Sequence, residues 1–153
     1  MTSKIGCRYI VRGVIVDIMP TSVDILGFTN LWYADGVKNT ITHKIDESTE
    51  VKIFDAVHFL ACKLEAFKNR GKNEGRTSSD FEDIVYILNS RNTIWEELEA
   101  APQSVKKYMR QSFQELLENH YLYEWISVHL DWAEQKRVSL ILSGINQFVD
   151  LAD

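Results

Sequence analysis

Val51-Lys52-Ile53-Phe54-Asp55-Ala56-Val57-His58-Phe59-Leu60-Ala61-Cys62-Lys63-Leu64-Glu65-Ala66-Phe67-Lys68-Asn69 is the stretch in which the hydrophobic period of the chain changes. As far as Phe54 the residues read as a strand, in which successive side chains point to opposite faces. From Val57 onward the apolar positions are Val57, Leu60, Leu64 and Phe67, the three- and four-residue spacing of one helix face. Asp55 stands at the boundary, where a carboxylate can accept from the free amides of a first helical turn. Strands precede this point and helices follow it, so the chain reads as α+β.

Working back from Phe54, residues 40–45 and 51–54 flank the polar turn Asp46-Glu47-Ser48-Thr49 and suggest a hairpin. A second hairpin is expected from residues 7–11 and 14–18, with Arg12-Gly13 at the turn and Pro20 closing its second strand. Between the two, residues 21–30 read as irregular. Residues 31–35 read as a short helical turn pinned by Trp32 and Tyr33 and stopped by Gly36.

Working forward, Arg70-Gly71-Lys72-Asn73-Glu74-Gly75-Arg76-Thr77-Ser78-Ser79 has no apolar residue to anchor it and is expected to be a mobile loop. Ser79 or Asp80 then caps a helix with the apolar face Phe81, Ile84, Val85 and Leu88. Periodicity places further helices near 92–100, 103–118, 120–130 and 132–149, with Pro102 at an N-terminal position. The expected division is an α/β part over 1–90 and a helical C-terminal region over 91–153 packed on it.

The 153 residues, 45% hydrophobic, suffice for one compact domain with a real core. A net charge of −5 argues against double-stranded DNA as a partner. Cys7 and Cys62 form no C-x-x-C pair or zinc spacing and read as structural thiols of a reducing cytoplasm. No run approaches the roughly 20 apolar residues of a membrane span. There is no Walker loop, dinucleotide fingerprint or G-x-S-x-G elbow, and His43, His58, His120 and His129 show no metal-ligand spacing. Trp95, Tyr108, Tyr121, Tyr123, Trp125 and Trp132 fit helix packing or a partner interface better than base stacking.

Two charges stand where a core should be. Asp17 interrupts Val14-Ile15-Val16-Asp17-Ile18-Met19, a strand with no polar face, and Lys63 rises between Phe59 and Phe67 on a helix stripe. An unpaired buried charge costs several kcal/mol, so such residues either pair or line a site. Asp17 can pair with Arg8 or Arg12, or serve as a metal-binding carboxylate. Lys63 can snorkel past the rings or meet a polyphosphate. Asp80 and Asp83 stand three residues apart at a helix start, where the helix dipole accounts for Asp80 and Glu82 but less well for Asp83. Facing Lys63 across a tight connection, the two aspartates could also position it. Arg70, Lys72 and Arg76 form a plausible clamp for triphosphate or RNA phosphates, or a merely solvated run.

Four stretches, Gly13-Val14-Ile15-Val16-Asp17-Ile18-Met19-Pro20, Gly27-Phe28-Thr29-Asn30-Leu31-Trp32-Tyr33, Phe59-Leu60-Ala61-Cys62-Lys63-Leu64-Glu65-Ala66-Phe67 and Ser79-Asp80-Phe81-Glu82-Asp83-Ile84, resemble a bacterial nucleotidyltransferase-like family related to the AbiEii/AbiGii toxin group. Their order and spacing are intact from about residue 7 to 91. The resemblance implies a small mixed sheet of short strands with flanking helices and a helical C-terminal lobe. It implies magnesium-dependent transfer of a nucleotide from a nucleoside triphosphate to RNA or protein.

By this resemblance Asp17 matches the third, strand-borne carboxylate, a catalytic and metal-binding position. Lys63 matches a phosphate-contacting lysine, and with Arg70 and Lys72 it forms the expected nucleotide-binding set. Asp80 and Asp83 match the acidic pair at a helix start, with Ser79 where arginine often precedes it. Such transferases also carry a Gly-Ser turn and an Asp-x-Asp pair, and this sequence contains no Asp-x-Asp. The expectation is the C-terminal portion of such a protein, inactive alone or completed by a second polypeptide. The alternative is a non-catalytic, oligomeric interaction module of a toxin-antitoxin or defence-related system, whose sheet edge and apolar surface a homodimer or partner covers. RNA binding by the loop 70–76 is disfavoured by the acidic balance.

Overall fold

The computed structural model describes residues 7–26, 29–71 and 74–151. The order of elements is β1 (Arg8–Val11), β2 (Val14–Asp17), α1 (Val23–Leu26), α2 (Tyr33–Lys38), β3 (Thr40–Lys44) and β4 (Glu50–Phe54). The helices α3 (Ala56–Arg70), α4 (Ser79–Ser90), α5 (Ile94–Ala100), α6 (Gln103–Leu117), α7 (Leu122–Val128) and α8 (Arg137–Asp150) follow, with a 3₁₀ turn at Trp132–Glu134. The fold is α+β with a helical C-terminal region, as the change of period at Asp55 indicates.

Both hairpins form. In the first, Arg8 pairs with Asp17 and Ile10 with Ile15. Its two-residue turn places Arg12 at φ 51° and Gly13 at φ 84°, the left-handed pair that matches the twist of the flanking strands. In the second, Thr40 pairs with Phe54 and Lys44 with Glu50. The described strands make two separate antiparallel sheets, where the family resemblance implies one mixed sheet. Every residue of β1 and β2 is exposed, on both faces of the hairpin, including Ile10 at 76% and Ile15 at 63%.

The core is helical. Asp55 caps α3 by accepting from the His58 amide, and α3 buries Val57, Leu60, Ala61, Cys62, Leu64 and Phe67. Burial on more than one side marks a helix enclosed by neighbours. Leu60 and Leu64 share one cluster with Phe81 and Ile84 of α4, Leu98 of α5, Met109 and Phe113 of α6, and Ile145 of α8. The rings of Phe67, Phe81 and Trp125 meet at centroid distances of 5.1, 5.9 and 5.6 Å, tilted or edge to face, the arrangement aromatic quadrupoles favour. No helix of the described residues is long and apolar enough to cross a membrane.

Several local expectations are corrected. Residues 21–30, read as irregular, contain the single turn α1. Gly36 does not stop α2. It lies buried inside that helix, where a Cβ would stand 2.6 Å from the Phe54 ring, so the glycine permits a close approach. The cap of α4 is Ser78, whose hydroxyl accepts from the Phe81 amide. The helix expected over 132–149 is broken because the Gln135 side chain turns back to the end of α7, donating to the Ser127 and Leu130 carbonyls.

The described part of the 70–79 loop is anchored. Gly75 is buried against the Trp125 ring, the His129 imidazole bonds its carbonyl at 2.7 Å, and Arg76 reaches Glu124 at 2.8 Å. The anchor is a glycine backbone, so the sequence carries no apolar residue to announce it. Trp125 packs in the core as expected, whereas Trp132 is 92% exposed.

Candidate functional site

Phe59, Lys63, Ala66 and Arg70 fall at three- and four-residue intervals along α3 and share one face. Asp80 and Asp83 follow the Ser78 cap in the first two turns of α4, which packs antiparallel to α3 after the connecting loop. The two helices bring these charges together. Lys63 Nζ lies 2.5 Å from Asp83 Oδ2 and 3.5 Å from Asp80 Oδ1. Arg70 donates Nε to Asp80 Oδ2 at 2.6 Å and Nη2 to Asp80 Oδ1 at 2.8 Å, a bidentate fork. Arg70 is thus the last residue of α3 and a partner of Asp80, where the sequence placed it in the loop.

The members differ in exposure. The Asp80 side chain is 4% exposed, Lys63 25%, and Arg70 70%. Burial pushes the Asp80 carboxyl up, but the Arg70 hydrogen bonds and the charges of Arg70 and Lys63 outweigh it, and the carboxyl ends below its ordinary value. Burial likewise opposes the Lys63 charge. The bond and charge of Asp83, then those of Asp80, overcome this and hold the ammonium above its ordinary value. Lys63 also sits 5.4 Å from the centroid of the Phe59 ring, so its stem and head are both accommodated.

Two cations and two carboxylates leave the cluster without net charge. It can still offer directed donors, because a guanidinium has five N–H groups and an ammonium three, and the acidic pair uses only some of them. A cavity of about 180 Å³ opens beside Lys63, Arg70 and Asp80, walled by the rings of Tyr33, Phe54 and Phe59. Cys62 also lines it, and burial, only partly opposed by the Lys63 charge, pushes its thiol up to about 12. Tyr33 joins the cluster from α2, where the sequence had offered it only as an aromatic pin.

The remaining expected residues lie elsewhere. Asp17 sits on the exposed hairpin with both oxygens bound by Arg8, at 2.7 and 2.8 Å, and its carboxyl is lowered chiefly by that bond. Arg76 faces Glu124 of α7. Lys72 lies outside the described residues, as do Gly27 and Phe28. Magnesium takes a near-octahedral set of oxygens. Among the described residues no three ligating side chains gather, and Asp17 and Asp80 are each occupied by an arginine, so these residues do not fit the ion by themselves.

No family model matches the chain, and neither a curated protein nor a solved structure of significant similarity was found.

Proposed function

We propose that this chain is the nucleotide-holding part of a nucleotidyltransferase-like protein, inactive alone. The observation that supports this reading most is the convergence of Lys63, Arg70, Asp80 and Asp83. Lys63 and the two aspartates come from two separate stretches that resemble the transferase family, and Lys63, Arg70 and Asp80 line one cavity, with Asp83 bound to Lys63. In this reading Lys63 and the free N–H groups of Arg70 contact phosphate oxygens. Asp80 and Asp83 fix both cations in place. The groups that would complete a metal centre lie outside these 153 residues, which contain no Asp-x-Asp pair.

Calorimetric titration with magnesium and each nucleoside triphosphate tests the proposal. Saturable binding that Lys63→Ala abolishes supports it. Absence of binding by the folded chain, or unchanged binding in the variant, refutes it.

A second reading, a non-catalytic module that associates with itself or a partner, draws on a different observation. The β1–β2 hairpin is apolar and exposed on both faces. A strand without a polar face belongs inside a layered structure covered on both sides. Light scattering on the same sample separates the two, because a stable dimer that binds no nucleotide fits only the second.

A further inference from the structure

The cation and acid cluster offers chemistry for a phosphate end, and a neighbouring cavity is left without a role. Arg70, Tyr33 and Ala66 wall both the 180 Å³ cavity over Lys63 and a larger one of about 360 Å³. The larger cavity extends to Met19, Thr29 and Asn69, and Asp80 does not line it. Its size falls within the roughly 300–1,000 Å³ of small-molecule sites, and the smaller cavity's does not.

The lining of this cavity is mostly apolar, and its polar groups are largely spoken for. Asn30 donates to the Cys62 carbonyl at 2.8 Å and accepts from the Trp32 amide at 3.0 Å. Thr29 donates to the Pro20 carbonyl at 3.0 Å. The Asn69 amide donates to Glu65 at 2.9 Å, which leaves its carbonyl oxygen as an acceptor. What remains is the Tyr33 ring and hydroxyl, the apolar surfaces of Met19 and Ala66, the carbonyl oxygen and second N–H of Asn69, the acceptor side of the Thr29 hydroxyl, and the outer N–H groups of Arg70. That set suits a flat heteroaromatic ring with hydrogen-bonding edges, joined to an anionic group at Arg70.

We infer that this cavity takes the base and sugar of the nucleotide whose phosphates Lys63 and Arg70 hold, with the base packed against Tyr33. The inference rests on the nucleotide-binding reading above. Tyr33 then sets the preference for nucleotides over bare polyphosphate, and Arg70 marks the boundary between the two halves of the ligand.

The test compares the four ribonucleoside triphosphates with inorganic tripolyphosphate, each with magnesium, by calorimetry on the whole chain. Stacking of one base is expected to make at least one nucleotide bind about tenfold or more tighter than tripolyphosphate. Asn69→Trp, at a residue that lines the larger cavity and not the smaller one, narrows the proposed base site and should bring that nucleotide down to the tripolyphosphate level while tripolyphosphate binding stays unchanged. Tyr33→Ala should weaken nucleotide binding and Tyr33→Phe should not. Equal affinity for nucleotide and tripolyphosphate, or a nucleotide preference that survives Asn69→Trp, overturns the base site and leaves the phosphate site standing. Binding of neither ligand overturns both.

Discussion

Arg70, the last residue of α3, grips both carboxylate oxygens of Asp80, the second residue of α4. The fork ties the end of one helix to the start of the next across a glycine-containing loop. The buried member is the anion, and its two cations reach out toward solvent. This asymmetry decides how the cluster responds to substitution and to acid.

Removing the cations should cost more than removing the anion. Lys63→Ala with Arg70→Ala leaves Asp80 buried and uncompensated, a loss of about 3 kcal/mol or more. Arg70→Ala alone should cost about 1–3 kcal/mol, the penalty of a buried acceptor short of partners, since the exposed guanidinium's charge is itself screened. Asp80→Ala added to the double variant should restore stability. Urea midpoints at constant slope measure all of these, and a further loss in the triple variant would refute the asymmetry.

Acid should act through the same carboxyl. Asp80 is held below its ordinary value, so around that value the native state binds fewer protons than the unfolded chain. Its contribution is therefore complete above about pH 4 and is lost as the pH falls below that through the native value. In Arg70→Ala the burial of Asp80 acts without the fork, its native value rises toward or past the ordinary one, and the acid-linked loss from this group should shrink or reverse. Denaturant titrations at stepped pH on both proteins show whether the two acid limbs separate, and coincident limbs would contradict the assignment.

Most of the helical frame was legible in the sequence because each helix carries its own period. Val57, Leu60, Leu64 and Phe67 suffice to place α3, and Ile84, Val85 and Leu88 do the same for α4. The meeting of Lys63 with Asp80 and Asp83 was legible too, since two packed helices joined by a short loop leave few alternatives. What escaped depends on partners far along the chain or on backbone. Arg70 read as loop because glycine follows it, although its guanidinium extends the helix by finding Asp80. Gly36 read as a stop signal, and only the Phe54 ring eighteen residues on reveals it as a contact. The break before α8 is set by one glutamine amide, which no periodicity can show.

The 74–78 segment should behave as a docked loop. A Cβ on Gly75 would stand 2.4 Å from the Trp125 ring, so Gly75→Ala must lift the loop or displace a buried indole. Overpacking of this kind costs about 1–3 kcal/mol. Trypsin cleavage after Arg76, followed by mass spectrometry, should be slow in the native protein and clearly faster in Gly75→Ala and in His129→Ala. Equal rates in all three would show that these contacts do not hold the loop.

The first hairpin should govern the behaviour of the isolated chain. Ile10 and Ile15 are paired across it at 76% and 63% exposure, and Tyr9 and Val16 are exposed on its other face. A contiguous apolar ribbon of this kind on an unpaired strand edge favours association. The chain alone should therefore show concentration-dependent association by light scattering, and the double variant Ile10→Thr with Ile15→Thr should weaken it. Because neither side chain belongs to the helical core, the melting temperature should change little. A monomeric wild-type chain at high concentration would show that the ribbon does not drive association. A large drop in melting temperature would show that the hairpin is part of the core after all.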